Sequence, residues 1–313
     1  MRGRAGLLFA VAALAIGACG DDDDEAQDTA APAATEPATT EAPASSAGAP
    51  ATTAAGGAGD AAACAEGNTL EDGVLTIATG DPAFPPYVID DAPESGEGFE
   101  AAVALAVARE MGFSGDAVRW VRTGFDAAIA PGAKDFDFNL QQYSINPERE
   151  EIVSFSDPYY TANQAVVGYA DGPAAGITSV ADLKDLKLGA AAGTTSLAFI
   201  TDVIQPSEEA FAFNSNADAK AALDNEQIDA IVSDLPTALY ISAVEIEGTK
   251  VFGQFPIDAG GAGDQWGLLF EKDDPLVECA NLALATLEAS GELAEIQETW
   301  MGEYTEAPTL AAG

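Results

Sequence analysis

Apolar residues recur along the chain in two rhythms, one of strands and one of helices. Residues 74–79 (VLTIAT) form a short β-rich run closed by Gly80-Asp81-Pro82, which reads as a strand ending in a turn. Residues 98–111 place Phe99, Ala102, Val103, Ala106 and Val107 on one helical face, with Gly112 as the C-terminal cap. A strand at 117–121, a short helix at 125–130 stopped by Pro131-Gly132, and a strand at 137–140 follow. Residues 164–169 (QAVVGY) lead out of this set as a further strand. A second alternating set then runs through a helix near 180–183, a strand at 186–190, and a helix from Gly193-Thr194-Thr195 to 204. It continues with a strand near 210–213, a helix at 217–224, a strand at 229–232, a helix at 234–244 and a strand beginning at 251. The Gly-rich residues 260–264 break the pattern, residues 266–270 read as a strand, and helices at 275–289 and 291–301 end it. Alternation of this kind predicts α/β lobes with largely parallel sheets. The chain builds one lobe, leaves it, builds a second and returns, so two connections form a hinge. A cleft between such lobes is a natural ligand site, because strand C-termini and helix N-termini face it.

The first 66 residues do not share this pattern. Arg2 and Arg4 precede a short apolar run at 7–18, below the roughly 18–20 residues that span a bilayer, which fits a signal peptide. The run ends Ile16-Gly17-Ala18-Cys19, which resembles a bacterial lipobox with Cys19 as the lipidated residue; an ordinary secretory signal is the alternative. Residues 19–66 are expected to be a disordered acidic and Ala-Thr-Pro tether, because their composition cannot bury enough apolar surface to order itself. Such a tether has an r.m.s. reach of about 35 Å. The expected organisation is therefore signal peptide 1–18, tether 19–66, first part of lobe 1 at 67–165, lobe 2 at 166–262, return to lobe 1 at 263–306 and a tail at 307–313.

Charge and composition narrow the chemistry. Of 313 residues, 52 are acidic and 12 basic, giving a net charge of −40. Nucleic acid needs clustered Lys and Arg and is not expected as a partner. There is no His, which removes His-based acid–base chemistry and most zinc sites; neither a metal nor a cofactor is expected. With Cys19 lipidated, Cys64 and Cys279 remain, and an exported pair most simply forms one disulfide; two free thiols are the alternative.

The densest stretch is 137–160, DFNLQQYSINPEREEIVSFSDPYY. It sets Arg149, a rare cation here, just after the side-chain donors Gln141, Gln142, Ser144 and Asn146, an arrangement suited to gripping an anion. Phe84-Pro85-Pro86-Tyr87 holds two rings on a stiff loop.

These and further motifs, in order, resemble the polar amino-acid binding proteins of ABC importers, family 3 solute-binding lipoproteins. The matching stretches are 75–79, 84–87, 98–100, 125–126, 146–149, 155–160, 192–195, 229–234 and 266–268. The resemblance covers about 70–303 and implies a periplasmic binding protein-like type II fold, α/β, with two lobes, a two-strand hinge and a cleft between them. It implies that Arg149 forks onto a ligand α-carboxylate, joined by Ser144 and by Thr194 and Thr195 at a helix start. It implies that Asp234 takes the ligand ammonium, that Asp81 lies near the ligand side chain or ammonium, and that Phe84 and Phe125 sandwich that side chain. Gln142 stands where a small residue is usual, and could fill the pocket or read a polar ligand. Asp81 and the acidity lean toward a cationic amino acid; Gln141 and Gln142 lean toward a polar or amide one.

The function expected is therefore that of a non-enzymatic carrier. It captures a polar amino acid or analogue outside the cytoplasmic membrane, held there only by its lipid, and delivers it as a monomer to an ABC permease complex. A ligand sensor for a signalling partner and a dehydratase-type enzyme on the same scaffold are the alternatives.

Overall fold

A computed structural model of the chain describes residues 58–256, 263–304 and 306–312. The expected signal segment, Cys19 and the tether up to residue 57 lie outside the described residues. The first described element corrects the tether's extent: Ala58–Ala65 (α1) is a helix. Its sequence is mostly Ala, the strongest helix former, and it buries Ala61 and Ala65 in the lobe 1 core. It is pinned there by a Cys64–Cys279 disulfide, which joins residues 215 apart in sequence.

Lobe 1 continues with Leu75–Thr79 (β1), Phe99–Glu110 (α2), Val118–Arg122 (β2), Phe125–Ile129 (α3), Phe138–Asn139 (β3), Pro147–Glu150 (α4) and Ser154–Phe155 (β4). Tyr160–Ala162 (β5) leads out to lobe 2, which contains Gln164–Tyr169 (β6), Leu188–Ala191 (β7), Thr195–Phe199 (α5), Phe211–Phe213 (β8) and Asn216–Asp224 (α6). Ala230–Asp234 (β9), Leu235–Tyr240 (α7) and Thr249–Gln254 (β10) complete that lobe. Both α5 and α7 run on into a π-helical turn, at Ile200–Ile204 and Ile241–Glu245. The chain returns through Asp264–Trp266 (β11), Leu269–Phe270 (β12), Leu276–Ser290 (α8) and Glu292–Met301 (α9).

Each lobe carries a five-stranded sheet, ordered β2-β1-β3-β12-β4 in lobe 1 and β10-β6-β9-β7-β8 in lobe 2. The sheets are mixed rather than largely parallel. β1 runs parallel to β2 and β3, but the returning β12 pairs antiparallel to β3 and β4. In lobe 2, β7 is parallel to β8 and β9, while β6, arriving from lobe 1, is antiparallel to β9 and β10. The hinge is a separate ribbon, β5 against β11, in register from Asp264–Ala162 to Trp266–Tyr160. The strand expected over 266–270 is thus split: its first residue belongs to the hinge and its last two to the lobe 1 sheet.

Residues 307–313, expected only as a tail, form a strap on lobe 2 over their described part. Gln254 N–H donates to Pro308 O (2.8 Å), Leu310 N–H to Gln254 O (2.9 Å), and Val180 N–H to Ala311 O (3.0 Å). Leu310 is buried with Phe252 and Phe255 in the lobe 2 core. Gly253 permits this: a Cβ there would lie 2.9 Å from Leu310 Cδ2 and from Pro308 O. The chain therefore passes between the lobes once more than the two connections expected.

Candidate functional site

The edges of the two sheets and the hinge enclose a cavity of about 310 Å³. Lobe 1 contributes the turn after β1 (Asp81), the loop bearing Phe84 and Tyr87, the start of α2 (Glu100), the start of α3 (Phe125, Asp126), the segment after β3 (Gln141, Gln142, Ser144) and Arg149. Lobe 2 contributes Thr194, Thr195, Ser196, residues 214–216, Ser233 and Asp234; the hinge region contributes Gln164, Asp264 and Trp266. Every residue expected to touch a ligand (Asp81, Phe84, Phe125, Gln142, Ser144, Arg149, Thr194, Thr195 and Asp234) lines this one cavity.

Arg149 is set by local sequence. Asn146 caps α4, accepting the Arg149 N–H at 2.9 Å, and Pro147 occupies the first turn, where a missing N–H costs nothing. The guanidinium is buried, donating from Nη1 to Ser144 O (2.8 Å) and from Nη2 across the cleft to Gly193 O (3.0 Å). Burial lowers its pKa, with Asp264 opposing, yet a guanidinium stays charged. It sits 5.3 Å over the Phe125 ring, which stacks on Tyr143 at 4.7 Å. These contacts use part of the five-donor fork, so donors remain for an anion.

The lobe 2 hydroxyls are partly spent. Thr194 caps α5, accepting the Leu197 N–H at 3.2 Å and donating to Ala191 O at 2.7 Å. Thr195 donates to Asp264 Oδ2 at 2.6 Å, and Ser144 Oγ lies 3.3 Å from the Thr195 hydroxyl. Gln164 Nε2 donates to the same Asp264 oxygen at 2.6 Å. Asp234 caps α7 through Thr237 N–H (3.0 Å) and accepts the Tyr87 hydroxyl (2.6 Å). Burial raises its pKa, while these two bonds pull it down.

Gln142 is not a free reader of the cavity. Its backbone is left-handed (φ 53°), and both its N–H (2.7 Å, to Oε1) and its side-chain amide donate to Glu100. Tyr159 adds a third donor to that carboxylate. Burial pushes Glu100 up to about 7 against those bonds. Phe84 faces Lys220 of lobe 2, whose Nζ lies 4.8 Å from the ring centre and 2.5 Å from Glu245 Oε1. Sequence reasoning missed Glu100, Tyr87, Asp126, Gln164 and Asp264 as cavity residues. A charged residue in the first turn of α2, flanked by the apolar residues 99 and 101–108, was a visible signal for Glu100. The partners of Tyr87 and Asp264 lie too far along the chain to be read from spacing.

The model of the bacterial extracellular solute-binding proteins, family 3, matches residues 75–303. Over 226 residues the chain is 28% identical to the arginine-binding periplasmic protein of Mannheimia haemolytica, covering 71% of this chain and 89% of that one. Among solved structures, an ancestral arginine-binding protein bound to arginine aligns with a TM-score of 0.62 at 30% identity, covering 74% of this chain and 99% of that one. An ancestral amino acid-binding protein described as a precursor of cyclohexadienyl dehydratase aligns at 0.61 and 29% identity, covering 73% and 95%.

Proposed function

The chain belongs to the bacterial extracellular solute-binding proteins, family 3, and from that premise we propose that it captures a cationic amino acid, arginine or a close analogue, and presents it to an ABC importer. The observation that carries this reading is the charge of the cavity wall. Among the described residues, Asp81, Glu100, Asp126, Asp234 and Asp264 line it against a single cation, Arg149. A zwitterion places its carboxylate on Arg149 and its ammonium on Asp234, which leaves acidic wall unpaired. A second positive charge on the ligand side chain is attracted to that remainder, in which Asp81 and Asp126 are exposed and Glu100 and Asp264 are hydrogen-bonded but, among the described residues, face no cationic side chain of their own. The amide alternative rested on Gln141 and Gln142, and both side-chain amides already donate within lobe 1, Gln141 to Tyr143 and Gln142 to Glu100. The name of the Mannheimia relative points the same way.

In this reading Arg149 forks onto the ligand carboxylate with Ser144, Thr195 joins after releasing Asp264, and Phe84 and Phe125 flank the aliphatic stem. No step makes or breaks a covalent bond, so the protein is a carrier and not an enzyme. Cys19 bears the lipid that holds the mature protein, a monomer, at the outer face of the cytoplasmic membrane. Calorimetric titration with arginine, lysine, glutamine and glutamate tests the ligand: arginine or lysine should bind tightest, and tighter binding of glutamate overturns the reading. Mass spectrometry of the mature N-terminus tests the anchor: a diacylated Cys19 would support it, and an unmodified N-terminus would refute it.

A further inference from the structure

Tyr87 belongs to the loop of lobe 1 that precedes α2, and its mounting is unusually firm. Its carbonyl accepts the N–H groups of Glu100 (3.0 Å) and Ala101 (3.2 Å), so it caps the helix that follows. Gly98 (φ 108°) allows the approach, since a Cβ there would fall 2.4 Å from that carbonyl oxygen. The ring is buried edge-on to Trp266 of the hinge ribbon, with centres 5.7 Å apart. A ring held at its backbone and at its face has little freedom left for its hydroxyl. That hydroxyl crosses the cleft: it donates to Asp234 Oδ1 (2.6 Å) and lies 2.8 Å from Thr237 Oγ1, both in lobe 2. The same Asp234 oxygen takes the Thr237 N–H, so Oδ1 holds two donors. Among the described residues, Oδ2 has only the Ser233 hydroxyl, at 3.5 Å.

We infer that Tyr87 is the positioning residue of the ammonium subsite: its hydroxyl fixes Asp234 from the opposite lobe, leaves Oδ2 for the ligand, and ties ligand capture to lobe closure. The inference rests on the reading of Asp234 as the ammonium acceptor. The bond draws the lobes together with or without ligand, and a ligand that needs an oriented Asp234 adds to the closed form. Besides Tyr87, the titratable groups acting on Asp234 are Asp264, Glu100, Tyr159 and Tyr160.

The test uses Tyr87→Phe, Asp234→Asn and the double variant, with arginine as the probe. Hydrogen bonds to charged groups support an expected weakening of arginine binding by about 10- to 100-fold in Tyr87→Phe. Most of that should appear as faster dissociation. On the Asp234→Asn background the further loss should shrink to a fewfold or less. An undiminished loss there, or an unchanged affinity in Tyr87→Phe, overturns the inference. A ligand-free readout separates it from the proposed function: carbon-13 NMR titration of the Asp234 carboxyl. Removing the Tyr87 hydroxyl should move that titration to higher pH. An unmoved titration overturns the inference even if arginine binds. A moved titration in a protein that ignores arginine upholds the tie between the lobes and rejects the ligand reading.

Discussion

Glu100→Gln offers a prediction whose sign and size follow from one buried group. Glu100 lies at the cavity wall on α2, 2% exposed, and accepts from Gln142 and Tyr159. Burial is the largest influence on it and raises its pKa from 4.5 to about 7; the three hydrogen bonds oppose that, and Asp234 adds to it. Below about pH 4.5 the group is protonated in folded and unfolded chains alike. Between that pH and 7 the unfolded chain releases a proton that the folded chain keeps, so stability falls as pH rises, and the loss is complete just above pH 7. At about 1.36 kcal/mol per pH unit, the interval corresponds to roughly 3 kcal/mol. Glu100→Gln removes the titration but also rearranges three hydrogen bonds, so its offset at low pH is of no consequence; the trend is what counts. Urea unfolding followed by tryptophan fluorescence, for both proteins from about pH 4.5 to 8, gives the difference. The variant should gain about 3 kcal/mol on the parent across that range. Carboxylates not coupled to Glu100 act alike on both proteins and cancel. Parallel pH profiles would refute the assignment of a raised carboxyl to Glu100.

Three further outcomes are expected. Arg149→Ala should cost about 2–5 kcal/mol of arginine binding, by leaving a buried carboxylate unpaired, and an unchanged dissociation constant in calorimetry would remove Arg149 from the site. Reducing the Cys64–Cys279 bridge opens a very long loop and should destabilise the chain by at most about 5 kcal/mol with ligand affinity nearly kept; two titratable thiols in the oxidised protein would contradict the bridge. Leu310→Ala should cost about 2–5 kcal/mol as a buried truncation. Hydrogen exchange at the Val180 amide, which donates to Ala311, should then accelerate; an unchanged rate would mean the strap stays in place without Leu310.

Much of the fold was legible where a run is long enough to carry its own period. The strands β1, β6 and β9 and the helices α2, α8 and α9 read directly from apolar spacing. The strands β3, β4 and β12 are two residues each, too short for any period, and the antiparallel entries of β6 and β12 follow from crossing between lobes rather than from local pattern. The predicted stripe on α2 placed Glu100 off the buried face. The helix is buried nearly all round, packed by α1, α8 and α9, so a single-face reading could not find it. Arg149 was legible because its cap, its proline and its charge are contiguous. Tyr87 was visible as a ring but not as a hydroxyl with a partner, since Asp234 lies 147 residues later. The strap hid in a short tail of mostly small residues, where Leu310 was the one apolar clue large enough to anchor it.

The number of passages between the lobes has a consequence for how the molecule can be observed. Passages after β5, between β10 and β11, and between α9 and the strap make an odd count, so the two ends of the described chain ride on different bodies. Helix α1 is fixed to lobe 1 by its disulfide, and Ala311 is paired to lobe 2. A donor dye on α1 and an acceptor near residue 311 would therefore move with opposite lobes, and their energy transfer would follow opening and closing without a probe near the cavity.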